Sequence, residues 1–197
     1  PDLNNTNNIE KGIIEYRKLC LKLLEMEIPI ATEMLCPLTF NYFKDLISYC
    51  AIGARTSESQ IHRNYLSSLD IPCGIKNDMK GDIDVAGQGC MMVKQNHTFL
   101  NINNYGNIEK VNSKGNNNSC IILRGSTING PNYHQEYILR CEEICNKYNI
   151  NKSIIIDCSH GNSNRYFKNQ LNVIKSIIEQ KKNGNNSVIG LMVESFI

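Results

Sequence analysis

The spacing of apolar residues along the chain switches repeatedly between a helical period and short continuous runs. Apolar positions that recur every three or four residues predict helices at 9–24, 39–49, 58–69, 82–94, 134–148 and 164–181. Continuous apolar runs predict strands at 29–35, 51–54, 72–76, 120–124, 153–157 and 188–193. The helix at 82–94 is the weakest of these predictions, because Gly87 and Gly89 each cost about 1 kcal/mol in a helix interior.

Strands that alternate with long helices indicate βαβ units and a parallel sheet, so the predicted fold class is α/β. Continuous apolar strands are typical of a sheet that is covered on both faces. Segments 97–102 and 108–113 flank a polar stretch and predict an inserted β-hairpin near 97–113. The 197 residues indicate one domain, although a closed (β/α)8 barrel usually takes about 250 residues.

Composition narrows the possible partners. The net charge of +2 does not by itself favour a nucleic-acid partner. No apolar stretch approaches the ~18 residues that a membrane-spanning helix needs. Nine cysteines at irregular spacing, without a CxxC pair, favour reduced thiols over a disulfide framework. We therefore expect a cytoplasmic protein with neither a nucleic-acid nor a membrane partner.

Charged or metal-binding side chains follow the predicted strands, at the ends that meet on one rim of a parallel sheet. In chain order they are Glu33, Arg55, Lys76, Arg124, His160 and Glu194. Each one alone has an ordinary structural explanation, such as a solvated cation, a helix cap or a hydrogen-bonded core histidine. Their occurrence at six strand ends favours a shared site.

The residue types at this rim suggest two kinds of ligand. Arg55, Lys76 and Arg124 form a cluster of cations that would repel one another without a multiply charged anion. Gly53 and Gly125 beside the arginines would let a phosphate approach the backbone. The imidazole of His160 and the carboxylate of Glu194 together suit a divalent Mn, Fe, Zn or Co ion. Two ligands do not complete a metal site, so the others must come from elsewhere.

These motifs resemble those of class I 3-deoxy-D-arabino-heptulosonate 7-phosphate (DAHP) synthases, in the form found in enteric bacteria and yeasts. The densest match is the run AIGARTSESQIHR at 51–63. Further matches follow in family order at 74–77, 121–125, 131–133, 157–162 and 192–195. The resemblance implies a TIM barrel and a transferase that condenses phosphoenolpyruvate with erythrose 4-phosphate, the entry step of the shikimate pathway.

The resemblance also implies roles for the rim residues. Arg55 and Arg124, with the backbone at Gly53 and Ala54, would hold the phosphate of phosphoenolpyruvate. Lys76 would hold its carboxylate side, and Glu33 would line the same pocket. Arg55, Lys76 and Arg124 are therefore the candidate catalytic residues.

The implied metal ligands are His160 and Glu194, with a divalent Mn, Fe, Co or Zn ion as the cofactor. The metal would polarise the sugar aldehyde as a Lewis acid. The enol carbon would attack that carbonyl, water would add at the phosphate-bearing carbon, and phosphate would leave.

The match corresponds to barrel strands 3 to 8, and some family residues have no counterpart. Missing are a metal-binding Cys of the first strand, an Arg and a Lys of the second, and a metal-binding Asp after the eighth. We therefore expect residues 1–197 to form a single partial catalytic domain without the first two strands and the C-terminal tail. On its own such a chain would be inactive, whereas the full-length form would be a homodimer or homotetramer.

Other interpretations stay open at this point. A truncated or eroded homologue could bind an anion or a partner without turnover. A related phosphoenolpyruvate-condensing enzyme that makes an eight-carbon sugar acid is disfavoured by the run at 53–63. An aromatic amino acid is a possible feedback inhibitor, but Asp70 and Asn101 replace small residues near its family site, so its identity is undetermined.

Overall fold

A curled parallel sheet lies at the centre of the fold, which the computed structural model describes for residues 4–103 and 105–195. The strands in this part of the chain are β1 (Ala31–Glu33), β2 (Tyr49–Ile52), β3 (Cys73–Lys76), β4 (Thr98–Ile102), β5 (Ile108–Asn112), β6 (Ser119–Leu123), β7 (Ile154–Asp157) and β8 (Val188–Met192). The sheet order β1-β2-β3-β6-β7-β8 follows the chain, and every neighbouring pair is parallel. This arrangement is a half-barrel, which confirms the predicted incomplete (β/α)8 barrel.

The first helix in the described part of the chain precedes the sheet, and the later ones lie in the connections between its strands. They are α1 (Ile9–Glu25), α2 (Pro37–Phe40), α3 (Gln60–Ser67), α4 (Ile83–Lys94), α5 (Gln135–Lys147) and α6 (Gln170–Lys182). Asn8 caps α1 by accepting a hydrogen bond from the Lys11 amide at 2.9 Å. The hairpin also forms where the sequence predicts it, since β4 and β5 pair in antiparallel register.

The glycines of α4 are explained by packing. A Cβ added to Gly87 would lie 2.3 Å from Ile144 of α5, and one added to Gly89 would lie 2.7 Å from Ile75 of β3. Without side chains at these positions, α4 approaches both neighbours closely. This contact compensates for the low helix propensity of glycine.

Two predicted helices are wrong in part. The helix predicted at 39–49 is divided into α2, a 3-10 turn at Lys44–Leu46 and the start of β2. Phe43 leaves the helical conformation at φ −146°, and its ring packs edge-on against Phe40 and Tyr16. Tertiary packing of these aromatic rings therefore overrides the local helical period.

The helix predicted at 164–181 begins six residues later, at Gln170. Asn164 and Arg165 adopt left-handed backbone angles (φ 52° and 59°), which a helix cannot include. A 3-10 turn at Phe167–Asn169 then leads into α6.

The main core lies between the sheet and its helices. Ile75, Leu123 and Ile156 are fully buried there. A smaller cluster of Ala51 and Ile122 with Cys120 occupies the opposite face of the sheet. All nine cysteines are free thiols, and eight of them are buried. Among the described residues no helix is long and apolar enough to cross a bilayer.

Asp84 links the first turn of α4 to the end of α5. Its carboxylate accepts hydrogen bonds from Lys147 Nζ at 2.7 Å, Tyr148 Oη at 2.8 Å and Gln88 Nε2 at 2.7 Å. The hydrogen bond from Lys147 is the main reason that the pKa of Asp84 lies below its usual value.

We expect Asp84→Asn to lower the free energy of unfolding by about 0.5–1 kcal/mol at pH 7, because solvent screens this partly exposed contact. A carboxyl group with a lowered pKa in the folded state stabilises above its unfolded pKa of about 3.9. The effect should therefore fade as the pH falls below that value. Urea unfolding at several pH values measures it.

Glu136→Gln is the matched control, because Glu136 lies in the first turn of α5 and makes no side-chain hydrogen bond or ion pair within the described ranges. This substitution removes the same charge from a helix N-terminus, and it should lower the free energy of unfolding by only a few tenths of a kcal/mol. Equal losses in the two variants would contradict a stabilising link between α4 and α5.

Candidate active site

Charged side chains from successive strand ends meet around one cavity at the carboxyl edge of the sheet. This cavity of about 160 Å³ is lined by Glu33, Gly53, Ala54, Arg55, Lys76, Met79, Arg124, His160 and Arg165. A second cavity, of about 290 Å³, lies beside it and contains Glu194 together with His160 and Arg165. The structure thus brings all the rim residues named from the sequence to one region.

Arg124 is a buried cation without an acidic partner among the described residues. Only 4% of it is exposed, and its Nη1 lies 3.5 Å from the Gly125 carbonyl and 4.0 Å from the Met79 sulfur. Burial lowers the pKa of its guanidinium; the charge of Asp157 opposes this shift, and the charge of Arg165 adds to it. A guanidinium in this position favours an anion in the cavity.

Asp157, which closes β7, is a site residue that the sequence analysis did not single out. Its Oδ2 lies 2.7 Å from Lys76 Nζ and 3.0 Å from His160 Nδ1. Burial raises the pKa of this carboxyl, but the hydrogen bond from His160 and the charge of Lys76 outweigh burial and hold the pKa below its usual value. The expectation that the three cations repel one another unless an anion binds is therefore wrong for Lys76, which already has a partner.

Arg165 is a second residue that was missed. It lies at φ 59° in the turn after β7, where the sequence predicted a helix. Its side chain lines both cavities. With Arg55 and Arg124 it restores a cluster of three arginines, so the rim still favours a multiply charged anion.

The imidazole of His160 and the carboxylate of Glu194 converge at the second cavity. His160 Nε2 lies 3.5 Å from Glu194 Oε1. Gln170 fixes the backbone of Glu194 from both sides, donating to its carbonyl at 2.8 Å and accepting from its amide at 2.9 Å. These donors suit a divalent transition metal.

No cluster of three or more His, Cys, Asp or Glu side chains that could hold a metal occurs in the described part of the chain. His160 and Glu194 are by themselves too few donors for a metal site. Cys158 does not extend it, because its side chain is fully buried and its Sγ faces the Ile156 carbonyl. Burial also raises the pKa of the Cys158 thiol to about 11, which disfavours the thiolate.

The glycines at the rim make room for groups of the chain itself. A Cβ on Gly53 would lie 1.9 Å from Glu33 Oε1, so the Glu33 carboxylate already occupies that space. Gly125 adopts φ 66° and packs against the backbone of Gly161 at a distance that excludes a side chain. Close packing thus accounts for both glycines without a phosphate.

Three buried asparagines hold the strand ends in place. Asn77, directly after β3, accepts from the Arg124 amide at 2.8 Å and from Asn132 Nδ2 at 3.1 Å. Asn162, in the turn after β7, donates to the Leu123 carbonyl at 3.0 Å and to the Asp157 carbonyl at 2.8 Å.

Asn132 connects the other two asparagines. Its side-chain Oδ1 accepts a hydrogen bond from the Gly125 backbone amide at 2.7 Å. Its backbone amide donates to Asn162 Oδ1 at 2.8 Å. The three side chains thereby fasten the ends of β3, β6 and β7 to one another. We call Asn77, Asn132 and Asn162 the asparagine network.

The family profile described as the DAHP synthetase I family matches residues 1–197. The chain belongs to the DAHP synthetase I family. It is 40% identical over 197 residues to the Tyr-sensitive phospho-2-dehydro-3-deoxyheptonate aldolase of Escherichia coli K12, covering 100% of this chain and 55% of that protein. The phenylalanine-inhibited aldolase of Saccharomyces cerevisiae is 41% identical over 201 residues, covering 100% of this chain and 54% of that protein.

A solved phospho-2-dehydro-3-deoxyheptonate aldolase from Francisella tularensis SCHU S4 has the same fold as this DAHP synthetase I family member. Its TM-score is 0.95 at 41% identity, and the match covers 98% of this chain and 56% of that chain. The chain thus spans about half the length of the relatives that it matches.

We expect Asn162→Ala to lower the free energy of unfolding by about 2–4 kcal/mol, because it removes three buried hydrogen bonds, those to the Leu123 and Asp157 carbonyls and that from the Asn132 backbone amide. Thermal or urea unfolding measures this loss. The exposed Asn186, which makes no side-chain hydrogen bond within the described residues, provides the control. Asn186→Ala should change stability by less than about 0.5 kcal/mol. Similar values for the two variants would contradict a structural role for the asparagine network.

Proposed function

We propose that the full-length protein condenses phosphoenolpyruvate with erythrose 4-phosphate to give DAHP and phosphate, the first step of aromatic amino acid biosynthesis. Membership of the family and the names of its relatives support this activity. The observation that carries the proposal is the buried guanidinium of Arg124, which faces a small cavity together with Arg55 and Arg165. A small cavity lined by three arginines suits a small ligand with several negative charges.

In the proposed complex Arg55 and Arg124 bind the phosphate of phosphoenolpyruvate, since guanidinium groups donate to phosphate in a bidentate manner. The backbone at Gly53 and Ala54 borders the same cavity. Lys76 donates to the carboxylate side while its ammonium stays paired with Asp157. Because Arg124 is already desolvated, little further desolvation of its charge opposes binding.

His160 and Glu194 would hold a divalent metal, with the remaining ligands contributed from outside the described residues. Mn, Fe, Co and Zn all accept imidazole and carboxylate ligands. The metal supplies Lewis-acid polarisation of the sugar aldehyde when it is bound. His160 reaches this position because Asp157 and Ser159 hold the other ring nitrogen, and Glu33 lines the anion cavity from β1.

Three further properties belong to this proposal. The free cysteines support a location in a reducing compartment such as the cytoplasm. The printed names of the Tyr-sensitive and phenylalanine-inhibited relatives support an aromatic amino acid as feedback inhibitor. We also retain a homodimer or homotetramer as the expected state of the full-length protein.

The direct test is a condensation assay on the full-length protein with added divalent metal. We expect Arg55→Ala to weaken phosphoenolpyruvate binding by about 100-fold, because it removes a charged bidentate contact. Arg55 is exposed, so its loss should leave the fold intact. Isothermal titration with phosphoenolpyruvate measures the Kd.

Arg140→Ala removes an equally exposed arginine from α5 and should leave that Kd unchanged. An unaltered Kd in Arg55→Ala would refute the assignment of the anion site. Absence of condensation by the full-length protein, with phosphoenolpyruvate still bound, would instead favour a non-catalytic homologue.

His160→Ala should weaken Mn²⁺ binding by at least 100-fold, because it removes a directly coordinating nitrogen. The free Mn²⁺ signal in electron paramagnetic resonance measures the metal Kd. His134→Ala, which removes an exposed imidazole just before α5, should have no effect. Wild-type metal affinity in His160→Ala would exclude this residue as a ligand.

A further inference from the structure

One oxygen atom of Asp157 contacts both halves of the proposed site. Oδ2 accepts from Lys76 Nζ at 2.7 Å on the anion side and lies 3.0 Å from His160 Nδ1 on the metal side. Lys76 and His160 lie on different strand ends, and neither has another carboxylate within 3.5 Å of the same nitrogen among the described residues. Their relative position therefore depends on this carboxylate.

The carboxylate itself is held rigidly. Only 2% of Asp157 is exposed, and its second oxygen, Oδ1, accepts from the Ser159 amide at 3.0 Å and from Ser159 Oγ at 2.7 Å. Its backbone carbonyl accepts from Asn162 Nδ2 at 2.8 Å. With both oxygens and the carbonyl engaged, the side chain has no room to rotate.

These contacts determine where the ring hydrogen of a neutral His160 lies. Ser159 Oγ donates its only hydrogen to Asp157 Oδ1, so it can offer only a lone pair to His160 Nδ1 at 2.7 Å. Asp157 Oδ2 likewise offers only lone pairs. Nδ1 therefore carries the hydrogen, and the lone pair of Nε2 is directed toward the side of Glu194, 3.5 Å away. This is the tautomer that a metal bound through Nε2 needs.

We propose that Asp157 is the positioning residue of this site. It fixes the tautomer and orientation of His160 for the metal, and the same oxygen holds the ammonium of Lys76 toward the anion cavity. The identity of the anion and of the reaction rests on the proposed function. The positioning of His160 does not, and can be measured by metal binding alone.

Asp157→Asn in the full-length protein tests the proposal, with Mn²⁺ as the probe and no phosphoenolpyruvate present. The substituted amide group would present a donor either to Nδ1 or to Ser159. In the first case the ring hydrogen moves to Nε2. In the second the NH2 group faces the Ser159 amide, donor against donor, so the side chain that orients the ring is no longer held in place. We expect the Kd for Mn²⁺ to rise about 10- to 100-fold, the usual cost of losing a carboxylate behind a ligating histidine.

A matched variant separates positioning from charge. Asp45→Asn removes the same charge from an exposed pair with Arg17, and should leave the Kd for Mn²⁺ unchanged. A weakening in Asp45→Asn equal to that in Asp157→Asn would overturn the proposal in favour of a net-charge effect.

A purely structural role for Asp157 predicts a different result. Misfolding would lower the number of Mn²⁺ ions bound per chain and the melting temperature, while the folded fraction would keep the wild-type Kd. That outcome would overturn the proposal, as would a wild-type Kd at full stoichiometry. If Asp157→Asn weakens Mn²⁺ binding while the wild-type protein fails to bind phosphoenolpyruvate, the positioning role stands and the proposed function fails.

Discussion

The site depends on the asparagine network, because it sets the relative position of three strand ends. Parallel strands pair through their backbones only up to their last residues, and beyond that point the chain must find other partners for its amides and carbonyls. Asn77, Asn132 and Asn162 supply these partners inside the protein, where water cannot. The backbone at Arg124 and at Asp157 is thereby fixed, and both charged side chains extend from that backbone.

Fixing the backbone makes it possible to bury charge at the rim. Burial penalises the Arg124 guanidinium and the Asp157 carboxylate, and each is tolerated for a different reason. Asp157 is compensated within the protein by Lys76, His160 and Ser159. Arg124 has no such partner in the described part of the chain, so the more distant charge of Asp157 offsets its burial only in part, and an anion in the cavity would offset more of it. Folding has therefore already removed part of the water that anion binding would have to displace from Arg124.

The sequence predicts the sheet well because continuous apolar runs report burial on both faces, and the six strands lie within a few residues of their expected places. The helix predicted at 39–49 failed because the packing of Phe43 against Tyr16 and Phe40 is a tertiary contact without a local signal. The named rim residues could be predicted from their place after apolar runs. Asp157 could have been found in the same way, because it is a charged residue at the end of an apolar run. Arg165 could not, because its left-handed turn looks like the start of a helix in the sequence.

The rim combines two classes of side chain that differ in mobility. Lys76, Arg124 and Asp157 are largely buried at strand ends, so their charges stay in place whether or not a ligand is bound. Arg55 and Arg165 are exposed and lie on turns, where rotation costs little. The buried groups therefore present fixed charges to the cavity, whereas the exposed arginines are free to reorient. Because the buried charges are already desolvated, an anion that binds beside them would meet little further desolvation cost, whereas the exposed arginines would lose water when they contact it.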